Sequence, residues 1–485
     1  MNNQFDELAK DLARSVRRRQ GVRPGMALIF CLAVAAQCAC LAPAAEVYVD
    51  ANASGTSDGS KAFPYARITD AVSRARQLRE RATVPLRERI VIHVAAGTYH
   101  GSFDPKKLAE NPQIEVLPII LNVPNLTLSG TTSLDVDARG IPTDIRGGPK
   151  TTLTSSDVRL FDTGHVLILI TRTSDGGVGN RVTITGFNFK QNLGNTDYIL
   201  TGGIFVDRVS DFVIRGNAFA HTPHGLVTRL ASGVVEGNLF TCDLFGAVIS
   251  GGSIAQPAQV TVCGNRAASK IAGGLILCGI ADMRPLDLGA NLLVMERPQA
   301  VYDRNNPLDL MNLPDTLNVT VSGNDSSDNE HFGLRVFAAS PYIYATQVTT
   351  QPVTSVCNAT ITHNWLDRNG SYGFAVDAGF PQFPEGHPIP SPFTTVFTGT
   401  FRDNQIVGNG LGTALFTTTS FWATILGPNG DGYLQQSLYQ VSDLYGELTD
   451  FDYENPIYSP YDGAFLNNTL VVNGTVIPPG TKITP

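Results

Sequence analysis

Two histidines and two arginines have the chemistry needed to remove a proton next to a carboxylate. His221 and His224 belong to one short segment, Arg229 follows five residues later, and Arg335 stands in a later stretch. Proton removal α to a uronate carboxylate requires a base, and a cation must stabilise the enolate-like intermediate. These four are therefore the candidate catalytic residues. A structural role is the alternative for each: His224 could fill a turn, and Arg335 could pair with Asp377.

Aromatic residues downstream are candidates for substrate binding. Phe337, Tyr342 and Tyr344 offer rings against which sugars could stack. Asp377 follows in the next repeat and completes the candidate substrate-binding set.

An acidic stretch near the C-terminus contains the only candidate metal ligands. Asp450, Asp452 and Glu454 alternate along the chain, and oxygen ligands at alternate positions can converge on Ca²⁺. The complete EF-hand pattern is absent, so a solvated acidic turn is the alternative. Ca²⁺ is the one cofactor that the sequence suggests.

A repeat of about 20 residues must position these side chains. Phe212-Val-Ile-Arg-Gly-Asn-Ala-Phe219 and Gly233-Val-Val-Glu-Gly-Asn-Leu-Phe240 place Asn217 and Asn238 21 residues apart, which is typical of a solenoid. Stacked Asn side chains can bond to the backbone and to each other, and Asn tolerates a left-handed turn. The sequence therefore predicts a structural ladder of Asn217, Asn238, Asn265, Asn324, Asn364 and Asn404.

A Gly-led apolar strand follows each ladder Asn by eight or nine residues. Alternation along these strands predicts outward-facing Val227, Arg229, Val248, Arg335 and Phe337, among others. Insertions at 282–315, 341–355 and 380–395 follow these strands. Because they recur at one point of the repeat, they should emerge on one side and wall a groove.

Residues 46–99 resemble the opening of secreted right-handed parallel β-helix proteins of the pectate-lyase-like superfamily. Their order is a strand at Glu46–Asp50, a Ser/Gly/Asp loop, an amphipathic helix over 67–82, and a strand leading into Ala95-Ala-Gly-Thr-Tyr99. In that family the helix caps the solenoid end. The resemblance implies an all-β fold, a single-stranded right-handed parallel β-helix solenoid with an N-terminal capping α-helix.

The expected segments are a signal peptide or N-terminal anchor at 1–45, a cap with the first strands at 46–125, the β-helix at 126–420, and a C-terminal cap or tail at 421–485.

The chain also resembles polygalacturonase-like hydrolases at Asn195-Thr-Asp197, Pro223-His-Gly225 and Gly333-Leu-Arg335. It lacks that family's adjacent aspartates, whereas inverting hydrolysis requires an acid and a base carboxyl.

The first 45 residues have the pattern of an export signal. Basic Arg17-Arg18-Arg19 precedes the apolar stretch Met26–Ala42, and Ala42-Pro-Ala44 offers the small residues that a signal peptidase reads. An uncleaved anchor of about 17 residues is the alternative. Either way, a secreted or periplasmic cell-envelope protein is expected.

Charge and cysteines narrow the classes of partner. The chain has 35 Lys and Arg against 43 Asp and Glu. Residues 1–45 contain six of the basic and three of the acidic residues, so the rest of the chain has 29 basic and 40 acidic residues and a net charge of −11. Such a surface should not bind nucleic acid or anionic membrane by charge.

Four cysteines lie beyond residue 45: Cys242, Cys263, Cys278 and Cys357. Their spacing does not match a zinc-binding motif, so they are interpreted as buried thiols, and a disulfide between two of them is the alternative.

Two functional hypotheses remain. The first is an exported polysaccharide-acting protein, a lyase or epimerase on an acidic glycan, with a glycoside-hydrolase-like activity as a weaker enzymatic alternative. The second is a non-catalytic glycan-binding or structural β-helix protein of the envelope. Both predict a polysaccharide partner and a monomer.

Overall fold

The protein is a parallel β-helix, as the sequence predicts. The computed structural model describes residues 45–155, 165–171, 181–191, 201–222, 224–229, 231–242, 245–253, 257–268, 273–278, 315–337, 353–377, 393–417, 434–442, 451–454, 465–472, 474–477 and 482–483. In these ranges three sheets of 14, 7 and 11 strands run along the molecule, and a two-stranded hairpin stands apart. Each repeat passes through sheet 1, sheet 2 and sheet 3 in turn, and equivalent strands of successive repeats pair in parallel.

Sheet 1 is the longest sheet and extends from the N-terminal strand almost to the C-terminus. Its strands are Ala45–Val49, Ile90–Val94, Leu126–Ser129, Thr183–Thr185, Phe212–Arg215, Gly233–Glu236, Ala258–Cys263, Asp315–Ser322, Val353–Thr362, Phe393–Arg402, Leu434–Ser442, Phe465–Val472 and Thr475–Ile477, with Gly252–Ser253 paired at its side.

Sheet 2 is short and gives way to single bridges. Its strands are Gly97–Ser102, Glu115–Val116, Thr151–Ser155, Phe187–Gln191, Ala218–Ala220, Leu239–Thr241 and Arg266–Ala267. Beyond Arg266 the stack continues through bridges at Asp325, Trp365 and Gln405.

Sheet 3 contains the Gly-led strands. Its members are Ile119–Leu121, His165–Ile170, Thr201–Asp207, His224–Arg229, Phe245–Ser250, Gly273–Cys278, Phe332–Phe337, Tyr372–Asp377, Gly412–Thr417, Phe451–Glu454 and Lys482–Ile483. The three predicted insertions all connect sheet 3 to sheet 1, and they lie almost wholly outside the described residues.

The capping helix is α1, Ile68–Glu80, and a short second helix, α2, spans Pro105–Glu110. Ile68, Ala71, Val72 and Ala75 of α1 are buried against the end of the solenoid core, which confirms the predicted amphipathic helix. The carboxylate of Glu115 accepts hydrogen bonds from the backbone N–H groups of Ile68 and Thr69. It thus satisfies donors that a helix N-terminus leaves without intrahelical partners.

The Asn ladder is present and continuous. From Asn217 to Asn364 each backbone N–H donates to the Oδ1 of the next ladder Asn at 2.9–3.0 Å, and the series ends on Asn404. The left-handed residue is the one before each Asn, which corrects the expectation that Asn occupies that turn. Gly216 and Gly237 have φ of 61° and 59°, and His363 and Asp403 stand at the equivalent later positions.

A stack of phenylalanines fills the core beside the ladder. The rings of Phe189, Phe219 and Phe240 follow one another at centroid distances of 4.9 and 4.8 Å. A Cβ at Gly225 would lie 2.5 Å from the Phe240 ring. Glycine at position 225 is therefore required by the close approach of the phenylalanine stack.

The parallel stack does not stop at residue 420. Leu434–Ser442 pairs in parallel with Phe393–Arg402, and Phe465–Val472 pairs with Leu434–Ser442. The predicted boundary at 420 is therefore too early, because the later repeats lack the Asn-and-Gly marks by which the coil was followed in the sequence.

Candidate functional site

Parallel register sorts the outward residues of sheet 3 into columns that run along the solenoid. Leu226 and Ala247 belong to the main core, whereas Val227 and Val248 belong to a separate apolar cluster on the other face. The predicted alternation is thus confirmed for these strands. In register, the column of Val227 and Val248 continues to Arg335 and Ala375.

An aromatic column runs beside it at the start of the strands. The His224 ring lies 5.4 Å from that of Phe245, and further along Phe332 and Tyr372 stack at 6.4 Å with their planes 11° apart. Phe332 and Tyr372 were not among the predicted site residues, although their place directly before each glycine is the signal that identifies this column.

Arg335 meets the aromatic column at Phe332. The Arg335 guanidinium carbon lies 4.9 Å from the centroid of the Phe332 ring, which is the geometry of a cation–π contact. The His331 ring centre is 6.3 Å from the same centroid, and its Nδ1 lies 3.4 Å from Ser371 Oγ. We call His331, Phe332, Arg335, Ser371 and Tyr372 the Phe332 cluster.

The Phe332 cluster combines exposed and buried members. His331 is exposed, Phe332 and Arg335 are half-buried, and Tyr372 is buried. The His331 ring and the Arg335 guanidinium are at most about 11 Å apart, because both lie against the Phe332 ring. The cluster thus brings a cation and an imidazole together at the start of neighbouring strands of sheet 3.

The predicted catalytic set does not form one centre. His224 and Phe332 start strands separated by two others, so three interstrand spacings put His224 about 14 Å from the Phe332 cluster. Arg229 ends the strand that His224 begins, about 16 Å away along it. Between His224 and Arg335 the outer face carries buried Val227 and Val248.

The other predicted residues are distributed as follows. Phe337 and Asp377 are register neighbours at the ends of their strands, in the same column as Glu454, whereas Asp452 lies in the column of Arg335. For Arg229, Phe337, Asp377, Asp452 and Glu454 the structure describes the backbone position.

Arg335 is opposite Ala375 in the register, so Asp377 lies diagonally across from it rather than beside it. His221 is exposed in a left-handed turn, with φ of 54°, before sheet 3 begins. Tyr342, Tyr344 and Asp450 lie outside the described residues. No cluster of three His, Cys, Asp or Glu suited to a metal is found in the described ranges.

A second polar centre, absent from the sequence predictions, lies on the outer side of sheet 2. Arg139, in the turn of the hairpin Leu134–Val136 and Pro142–Ile145, donates from Nη2 to Asp325 Oδ2 at 2.7 Å. Its guanidinium also lies 4.2 Å from the centre of the Trp365 ring. We call this hairpin with its contact the strap.

Asp367 lies near the strap contact and is fixed by its own partners. Its Oδ1 accepts from the Val407 N–H at 2.8 Å, and its Oδ2 accepts from Gln405 Nε2. Burial, with a contribution from the nearby Asp325 carboxylate, raises the pKa of Asp367. Because both carboxylates are engaged by the protein, this centre is interpreted as structural.

Three cysteines have described side chains, and the described helices are short. Cys242, Cys263 and Cys357 form no disulfide, and Cys242 and Cys357 are buried. No helix within the described ranges is both long and apolar enough to span a bilayer.

Three solved structures that align with this chain have the names of carbohydrate-active proteins. The A-module of mannuronan C-5 epimerase AlgE6 from Azotobacter vinelandii aligns at 14% identity with a TM-score of 0.38, over 85% of this chain and 96% of that one. A glycoside hydrolase aligns at 11% identity and TM-score 0.33, over 77% and 96%. DFA-IIIase from Arthrobacter chlorophenolicus A6 aligns at 11% identity and TM-score 0.34, over 87% and 85%. No protein-family model and no curated protein matches this chain.

Proposed function

We propose that this chain is an exported polysaccharide-acting protein that binds an acidic glycan on the outer face of sheet 3, at the Phe332 cluster. The observation that supports the proposal is the Arg335 guanidinium held against the Phe332 ring. A guanidinium is planar, always charged and weakly hydrated, and it can bind a carboxylate with two parallel hydrogen bonds. Contact with the ring restrains the guanidinium before the ligand arrives, which lowers the entropic cost of binding.

The arrangement also suits uronate chemistry. Lyases and epimerases both begin by removing the C5 proton next to the carboxylate, which needs a cation at the carboxylate and a base nearby. Arg335 supplies the cation, and the exposed His331 is the nearest described imidazole. The base therefore belongs at His331 rather than at His224, which lies about 14 Å away by strand spacing.

Binding is tested with the purified protein and a panel of soluble polyuronates: polygalacturonate, polymannuronate, polyguluronate and polyglucuronate. Arg335→Gln should weaken binding by at least about tenfold, the scale expected when a hydrogen bond to a charged group is lost. Arg215→Gln is the matched control, because Arg215 is an exposed arginine of sheet 1. Equal affinity of the wild type and Arg335→Gln, or no polyuronate bound at all, would rule out this site.

Turnover distinguishes the enzyme from the binding protein. A lyase produces unsaturated ends that absorb in the near ultraviolet, and an epimerase changes the C5 configuration detected by proton NMR. His331→Ala should abolish either activity while leaving polyuronate binding within about threefold, because a base acts in the transition state and contributes little to ground-state affinity. Binding without turnover across the panel would establish the non-catalytic alternative.

Export forms a separate part of the proposal. It is supported by the basic, apolar and small-residue order of residues 1–45. Amino-terminal sequencing of the protein recovered from outside the cytoplasm should begin close to Ala45 or Glu46. Recovery of the intact N-terminus from membranes would favour an anchor.

A further inference from the structure

A groove of about 530 Å³ lies on the outer face of sheet 1, away from the Phe332 cluster. It crosses four neighbouring strands, Ala258–Cys263, Asp315–Ser322, Val353–Thr362 and Phe393–Arg402. Its volume falls within the usual range for small-molecule sites, about 300–1,000 Å³.

Two columns of uncharged polar side chains line the groove. The residues of each column are aligned by the parallel register, so hydroxyl and amide groups recur at every strand, about 4.8 Å apart. The first column is Thr261, Thr320, Thr360 and Thr400, and the second is Gln259, Asn318, Asn358 and Thr398. No lining residue is ionisable.

The solenoid does not require threonine in the first column. Outside the groove the same column holds valine at Val91, Val213 and Val234 and threonine at Thr127 and Thr183. Valine and threonine both suit a strand, so either residue serves the sheet in this column. Among the described strands, only at the groove do four consecutive threonines lie beside a second aligned polar column within one cavity, and this pairing points to a ligand that uses both.

The side-chain chemistry specifies the class of that ligand. Hydroxyls and carboxamides both donate and accept, as do the hydroxyls of a sugar. Asn358 Nδ2 donates to Asn318 Oδ1 at 2.9 Å, a bond that uses neither the Asn318 amino group nor the Asn358 carbonyl oxygen. A carboxylate placed here would lose hydration without meeting a cation among the lining residues.

We propose that this groove is a second glycan site and that it binds a neutral polysaccharide strand. A polymer is favoured over a monosaccharide because the columns repeat along the solenoid and contacts on one chain add through effective concentration. The site is on a different sheet from the Phe332 cluster, so the proposal goes beyond the acidic-glycan function and does not depend on it.

The test is affinity electrophoresis of the full-length protein through gels that contain hydroxyethylcellulose, xyloglucan, galactomannan or dextran. At least one of these should retard the wild type, and Thr320→Val with Thr360→Val should weaken the retardation about tenfold. Thr127→Val with Thr183→Val is the matched control, because it removes two hydroxyls from the same column outside the groove. The control should behave as the wild type.

Circular dichroism and the thermal midpoint verify that both double variants fold. Three outcomes would overturn the proposal: no neutral polymer retards the wild type, the groove variant is retarded like the wild type, or the control loses as much as the groove variant. Binding of polygalacturonate is measured alongside. Loss of neutral binding with polyuronate binding kept assigns the effect to the groove, whereas Arg335→Gln should give the reverse pattern.

Discussion

At the residue scale, the stability of the molecule depends on side chains whose hydrogen-bonding groups are all used. Asn238 shows this most clearly. It is fully buried, its Oδ1 accepts from Asn217, and its Nδ2 donates to the Ile214 carbonyl at 2.8 Å and to Asn265 Oδ1 at 3.0 Å. Removing one such amide leaves buried donors and acceptors of both neighbouring repeats without partners.

We therefore expect Asn238→Ala to lower the free energy of unfolding by about 2–4 kcal/mol, since buried groups left unsatisfied cost about 1–3 kcal/mol each. Urea unfolding monitored by circular dichroism measures the change. Asn358→Ala on the outer face of sheet 1 is the control and should cost less than about 1 kcal/mol. Equal losses for the two variants would contradict a structural role of the ladder.

Burial also separates the cysteines by reactivity. Complete burial raises the pKa of the Cys357 thiol to about 12, whereas partial burial and the nearby Glu236 charge raise the pKa of Cys263. Because the thiolate is the reactive form, native protein at pH 8 should be alkylated at Cys263 and remain unmodified at Cys357. Peptide mapping by mass spectrometry after iodoacetamide treatment tests this. Labelling of Cys357 without denaturant would refute it.

At the element scale, the capping helix depends on one buried carboxylate. Thr69 donates to Glu115 Oε2 from both its backbone N–H, at 2.9 Å, and its hydroxyl, at 2.6 Å. Burial raises the pKa of Glu115, although these donors oppose the shift. The charged form is therefore penalised in the folded state relative to the unfolded chain, where the pKa is about 4.5.

The sign of the pH dependence follows from this shift. Stability contributed by Glu115 should rise as the pH falls through the raised pKa towards 4.5, because the folded state takes up its proton first. The free energy of unfolding of the wild type minus that of Glu115→Gln should thus increase between pH 7 and pH 4.5. Urea unfolding of both proteins across this range measures it. A constant difference would show that the donors balance burial, and a falling difference would show that they outweigh it.

The strap connects parts of the chain that are 186 residues apart. Asp325 is 6% exposed, so Arg139→Ala would leave a buried carboxylate with only the longer contact to Arg266 at 3.9 Å. Because Arg139 is itself partly exposed, we expect a loss of about 1–3 kcal/mol in the free energy of unfolding, the cost of one buried group left without its partner. Arg146→Ala, which breaks an exposed ion pair of the same hairpin, should cost less than about 1 kcal/mol.

A second variant separates charge from packing. Asp325→Asn added to Arg139→Ala removes the unpaired charge and should recover part of the loss. Hydrogen exchange of residues 131–150 provides a second readout, because release of the strap should raise exchange there. If the double variant is no more stable than Arg139→Ala, lost packing on Trp365 is responsible.

Sequence periodicity was sufficient for elements that depend on local repetition. The ladder asparagines and the apolar face of α1 were predicted because each repeat or turn carries its own mark. The strap could not be predicted in this way, since Arg139 and Asp325 share no periodic pattern and meet only through the fold. The Phe332 cluster was predicted in part: alternation placed Arg335 outward, but its contact with Phe332 depends on a side-chain direction.

At the scale of the whole molecule, the columns of sheet 3 show why a repeated architecture separates residues that the sequence groups by type. Each repeat advances the chain by about 4.8 Å, so similar residues at equivalent places recur along the axis rather than converge. His224 and Arg335 occupy neighbouring columns but different repeats. A site on this fold is therefore assembled from adjacent repeats, as His331 with Ser371 and Phe332 with Tyr372 are.

Net charge makes the proposed acidic-glycan site unusual in its response to salt. The whole chain carries −8, and −11 without residues 1–45, so either form repels a polyanion at long range. The half-buried Arg335 attracts the polymer only at contact. Raising ionic strength from about 0.01 M to 0.15 M shortens the Debye length from about 30 to about 8 Å. Salt therefore screens the long-range repulsion more than the contact between Arg335 and the polymer, and the association rate with polygalacturonate should rise with salt. For proteins that bind polyanions by a basic surface, the association rate falls with salt instead. Biolayer interferometry across this range measures the rate, with Arg335→Gln as the variant whose affinity falls. An association rate that decreases with salt would show that a basic patch, and not Arg335 within an acidic surface, captures the polymer.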